Sequence, residues 1–180
     1  MSQHEYVFVA ISIILGLAIT RLLHNVGMLI RAHQRVQFHW STAAWSLCVM
    51  CYSLQLWWVG WELHTVTEWS FRDYFVLTAS SIFVYGAAEM ALPVPEGVAE
   101  LDFLRHSEGL GRLSALSMLL YFAVGPYVNI SLFGNPVLPS LVLPTICILL
   151  MGLIMVLPRA FPALSVLFAL YTALILVVTA

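Results

Sequence analysis

The chain has 180 residues, 62% of them hydrophobic and only 9% charged, with a formal net charge of −2. A soluble domain carries roughly 25% charged residues, so this composition excludes an ordinary water-soluble fold and calls for a bilayer around the outer surface. The weak negative balance gives no reason to expect a nucleic-acid partner.

The first apolar run covers about 5–30. It opens behind Met1-Ser2-Gln3-His4, a start without the basic region of a signal peptide, so no cleaved leader is expected. Further runs cover about 41–61, 73–92, 108–130, 138–157 and 160–179. A run of about 20 residues rises roughly 30 Å as a helix, the thickness of a hydrocarbon core. The expected fold is therefore an all-α polytopic bundle of six transmembrane helices, with residues 1–180 forming a single domain. Pro93 and Pro95 stop the third run, while Gly125-Pro126 and Pro144 mark breaks in the fourth and fifth. Only Pro158, Arg159 and their neighbours join the last two runs, which must form an antiparallel hairpin. Val98 to Leu104 has the spacing of a short interfacial helix.

All seven basic residues are arginines. Arg31 and Arg35 flank the first loop, Arg105 and Arg112 the third, and Arg159 the fifth, which places those loops inside the cell. Arg72 alone falls on the other side, beside the acidic Glu62, Glu68 and Asp73. Both termini are then extracytoplasmic. Trp40 and Trp45 mark the inner interface, and Trp57, Trp58, Trp61 and Trp69 the outer one.

An ionisable group in hydrocarbon has to be paired or hydrated. The first helix carries Thr20, Arg21, His24 and Asn25; Thr20 with His24, and Arg21 with Asn25, stand four apart and share one broad polar face. Arg21 precedes Ile30 by nine residues, roughly 13 Å from the cytoplasmic end, a depth from which it can snorkel part of the way. Glu89, with Tyr85 one turn before it, falls in the same half of the membrane. The pattern predicts an Arg21–Glu89 ion pair, joined by His24 or Tyr85, acting either as a structural clasp or as a path for ions or protons. Gly16 and Thr20 make a small-xxx-small step suited to close helix packing. On the second helix Cys48, Cys51, Tyr52, Gln55 and Trp58 recur at steps of three and four. The neutral amide of Gln55 is either glue between helices or, with the aromatics, a face that touches substrate, to which Asn129 contributes.

A b-type haem usually needs two intramembrane ligands, and only His24 lies well inside. No phosphate loop, HExxH or GxSxG motif is present, and the three cysteines match neither a disulfide framework nor a zinc spacing. We therefore expect no catalytic residues, no metal and no cofactor.

The stretches ILGLAITRLLHNVGMLIR and LQLWWVGWEL resemble small multi-pass membrane proteins of bacteria. That resemblance implies a location in the bacterial inner membrane and supplies no site residues. The function expected first is a small channel or transporter for an ion or proton, self-associating among membrane lipids. The alternatives are a non-catalytic scaffold or accessory subunit of another membrane protein, and a lipid- or quinone-binding or redox protein, which would show a lateral opening between helices.

Overall fold

The computed structural model describes residues 2–95 and 100–178. Helix α1 runs Gln3–Arg31, α2 Trp40–Glu62, α3 Phe71–Met90, the short α4 Phe103–Glu108, α5 Gly111–Tyr127, α6 Val137–Val156 and α7 Phe161–Val178. The protein is an all-α polytopic bundle.

The helix starts follow from their caps. Ser2 and Glu5 form a capping box at α1, and Ser70 and Asp73 form another at α3. Asp102 accepts from the backbone N–H groups of Leu104 and Arg105 and so starts α4. The expected interfacial helix is thus displaced: a helix forms at Phe103–Glu108, and Val98 lies outside the described residues. Neither expected proline break occurs, because a proline removes one N–H and the neighbouring turns hold. Instead, α5 continues through Pro126 and then widens into a π turn, Val128–Leu132, where the Phe133 N–H donates to Val128 O. α6 continues through Pro144.

The long helices close a ring. α1 packs on α2 and α3, α3 on α5, α5 on α6, and α7 on α2 and, less closely, on α6. Small residues set the close approaches: a side chain at Gly125 would meet Pro144 of α6 at 3.4 Å, and one at Gly86 would meet Ser117 of α5 at 3.1 Å. Lipid supplies no hydrophobic drive between helices, so packing and hydrogen bonds hold the ring. Phe168 of α7 stands 4.9 Å from Trp45 and 5.6 Å from Tyr52, ring centre to ring centre. Trp45 donates to Ser114 Oγ, which donates to Ala87 O, a buried chain through α2, α5 and α3.

One end of the bundle holds the start of α1, the end of α2 and the start of α3, tied where His4 donates to Gly60 O and Tyr6 meets Tyr74. The opposite end holds the segment after α1, α4 and the α6–α7 connection. There β1 (Val36–Gln37) pairs in parallel with β2 (Leu101–Asp102), and Thr42 donates to Phe103 O.

Among the described residues, four segments are long and apolar enough to cross a membrane: Gln3–Arg31, Gly111–Leu132, Val137–Val156 and Pro158–Val178. α2 and α3 have the length but are less apolar, since α2 carries serines, Gln55 and five tryptophans, and α3 carries Arg72, Asp73 and Glu89.

Candidate functional site

Two polar constellations stand inside the bundle. The first is at the α1–α3 seam, where Arg21 Nη2 lies 2.6 Å from Glu89 Oε1. Each side chain is 35% exposed, so the pair sits at the rim of the seam. Arg21 Nε is buried without a partner among the described residues. Tyr85 Oη stands 3.5 Å from Glu89 Oε2, a long and weak contact. His24 points outward and has no hydrogen bond to the pair among the described residues.

The broad polar face expected on α1 is divided. Thr20 and His24 are exposed, whereas Asn25 is fully buried with both amide atoms unpartnered among the described residues. The reason is the inward stripe Ala18, Leu22, Asn25 and Leu29, whose steps of four, three and four carry Asn25 into the core.

The second constellation is a half-open cavity of about 170 Å³ lined by α2, α3, α5, α6 and α7 and the π turn. α2 contributes Tyr52 and Gln55, α3 contributes Ser80, α5 contributes Tyr121 and Phe122, the π turn contributes Asn129, and α7 contributes Tyr171. Gly125 and Pro144 form the wall where α5 and α6 come closest. The lining holds no Asp, Glu, Lys, Arg or His. The Tyr52 hydroxyl is buried without a hydrogen-bonded partner among the described residues, with Thr172 and Cys147 as polar neighbours. Tyr121 and Phe122 stand 5.9 and 5.0 Å from the Tyr52 ring, steeply inclined to it. Tyr171 donates to Leu143 O at 2.7 Å and bridges α7 to α6. The cavity offers hydroxyls, two amides and ring faces, and no formal charge.

Of the residues singled out in the sequence, the structure brings Arg21, Glu89 and Tyr85 together at the seam and places Gln55 with Asn129 in the cavity. Neither Arg21 nor Glu89 lines that cavity. Tyr121 and Tyr171 escaped the sequence reading, because a tyrosine in an apolar run gives no sign of which helix it will face; Ser80 is visible there only as small polar surface.

Polar clasps hold the ends. Tyr127 of α5 donates to Asp73 Oδ1 at 2.6 Å, and the Arg72 guanidinium lies 4.7 Å above the Tyr127 ring. At the other end His106 Nε2 donates to Met90 O. Burial pushes the His106 imidazole below the usual histidine range, and that hydrogen bond opposes the shift without cancelling it. No group of His, Cys, Asp and Glu that could hold a metal ion occurs among the described residues. Compared with known proteins, the chain matches no family model, no curated protein and no solved structure.

Proposed function

We propose that the protein is a small multi-pass membrane carrier that binds a neutral, hydrogen-bonding substrate in the cavity between α2, α3, α5, α6 and α7. The cavity itself carries this reading: a half-open, largely apolar space between the helices with a few amide and hydroxyl groups and no charged side chain in its lining. It lies beside the π turn that follows α5 and beside Pro144 of the continuous helix α6, and π turns inside helices recur at functional sites. An uncharged lining favours a neutral substrate over the ion or proton expected from Arg21 and Glu89. In this reading their pair is a clasp between α1 and α3.

The carrier spans a bacterial inner membrane six times, with α2 and α3 completed as spans by their packing between the more apolar helices. The arginine-bearing loops face the cytoplasm and both termini face out. It self-associates through α1, whose Gly16, Thr20, His24 and Gly27 form an outward stripe beside the half-exposed pair. That stripe also supports a second reading, an accessory subunit whose partner covers the same face.

The test is transport in proteoliposomes. Movement of ions (protons, potassium, sodium and chloride) is compared with that of neutral solutes graded from polyols to lipid-soluble ring compounds. The expected result is no ion flux above empty liposomes, and neutral-solute movement that Gln55→Leu abolishes while Glu89→Gln leaves it intact. Ion flux that disappears in Glu89→Gln would return the pathway to the α1–α3 seam and overturn the reading. No movement of any solute would leave the accessory role.

A further inference from the structure

The cavity has a neighbour on the outer surface. Between α6 and α7 lies an apolar groove of about 480 Å³, lined by leucines and Ile146, and Tyr171 belongs to both the groove and the cavity. The two helices leave this groove because their chief packing partners differ: α6 lies on α5, and α7 lies on α2. Tyr171 reaches from α7 to Leu143 O of α6, where it lines both the groove and the cavity. Leu149 and Leu170, 64% and 65% exposed, flank the outer channel.

From this continuity we infer that the substrate is a membrane amphiphile with a neutral, ring-shaped, oxygen-bearing head, and that it enters sideways from the bilayer between α6 and α7 with Tyr171 as its gate. The inference rests on the cavity being the substrate site. A groove facing lipid is ordinary by itself; what sets this one apart is that it shares Tyr171 with the lining of the cavity that holds the amides. The head is assigned from the cavity. A cavity of comparable volume, about 150 Å³, accommodates a benzene ring, and the rings of Tyr52, Tyr121 and Phe122 offer stacking and edge contacts to such a head. The Tyr52 hydroxyl and the Gln55 and Asn129 amides put polar groups of the kind that meets a carbonyl or hydroxyl oxygen on a ring into the lining. The tail is assigned from the groove: the eight-residue spans Ile146–Leu153 and Leu167–Leu174 run beside about 10 Å of hydrocarbon chain. A charged headgroup would find no counter-charge in the lining. A benzoquinone or quinol ring with an alkyl or isoprenoid tail has this chemistry.

The experiment is equilibrium binding to the full chain in lipid nanodiscs. Three radiolabelled probes are used: a decyl-substituted benzoquinone, the same ring bearing only a methyl group, and dioctanoylglycerol as a neutral amphiphile without a ring. Wild type is compared with Gln55→Leu, Leu149→Trp and Tyr171→Phe, each checked by circular dichroism. Leu149→Trp fills the groove from an exposed position and so leaves the packed interior untouched. The decyl compound should bind at least about tenfold more weakly to Leu149→Trp and to Gln55→Leu. Tyr171→Phe should raise its association rate at least about threefold. The methyl compound should be indifferent to Leu149→Trp. If the tail adds no affinity, or Leu149→Trp changes nothing while Gln55→Leu still weakens both ring probes, lateral entry is overturned and the cavity survives as a site for a water-borne solute. Dioctanoylglycerol binding as tightly as the decyl ring compound overturns the ring assignment. If Gln55→Leu leaves every probe unaffected, the cavity is not the site and both readings fall.

Discussion

Arg21 of α1 and Glu89 of α3 meet at 2.6 Å with about one-third of each side chain still uncovered. A pair in that position has given up most of its water without being sealed in protein. Removing one partner leaves a lone charge in a poorly solvated seam, while removing both leaves none. We expect Arg21→Gln and Glu89→Gln each to destabilise the bundle by about 2 kcal/mol, less than for a fully buried pair, and the double substitution Arg21→Gln with Glu89→Gln to cost less than the sum of the two. Unfolding titrations in mixed micelles, analysed as a double-mutant cycle, measure the coupling. Additive costs would show that the two charges do not depend on each other.

Asn25 tests the interior from the opposite direction. Its amide is fully buried and finds no partner among the described residues, so the native residue carries a desolvation cost. Asn25→Leu has similar volume and no polar atoms. It should raise stability by about 1 kcal/mol, seen as a higher melting temperature. A fall of that size would mean that a water molecule or another ligand satisfies the amide.

His106 makes stability depend on pH. Its folded-state pKa is lowered by burial, so as pH falls the unfolded chain takes up the proton first. The stabilisation is complete above the ordinary histidine value of about 6.5, and it is lost as pH falls from there through the lowered folded value. Melting temperature should therefore fall more steeply on acidification in wild type than in His106→Gln. Parallel curves for the two proteins would remove His106 from the account.

The outward stripe on α1 predicts contact between copies. In a background with Cys48, Cys51 and Cys147 replaced by serine, Gly16→Cys should form disulfide-linked dimers in native membranes under mild oxidation. Leu138→Cys, on an exposed position of α6, should not. Equal yields at both sites would reflect random collision and would remove α1 as the interface.

Much of the architecture was legible because apolar length is a direct record of a bilayer. The Arg21–Glu89 contact was legible for a related reason: counting residues along two antiparallel helices places both charges in the same half of the membrane. Gln55 and Asn129 stood out as amides in apolar runs. The rotation of each helix was harder to read. Four polar residues in a six-residue stretch of α1 cover too much of the helix circumference to mark one face, and the neighbours decide that Asn25 turns in and His24 turns out. The cavity needed lateral order as well. Tyr52, Tyr121 and Tyr171 converge only because α7 folds back against α2, and no periodicity within one helix encodes that. α4 was misplaced although its signal, Asp102 ahead of Phe103, was present in the chain.

The pairing of Val36–Gln37 with Leu101–Asp102 has a consequence for biosynthesis. When the first strand leaves the ribosome its partner has not been made; α2 and α3 must both be threaded first. The α1–α2 hairpin is thus made with its connecting loop unfastened. It is secured only after Asp102 has emerged. Until then the first hairpin remains free to slide or tilt, and the order of synthesis leaves time for α1 and α3 to bring Arg21 and Glu89 to one depth before that end is closed.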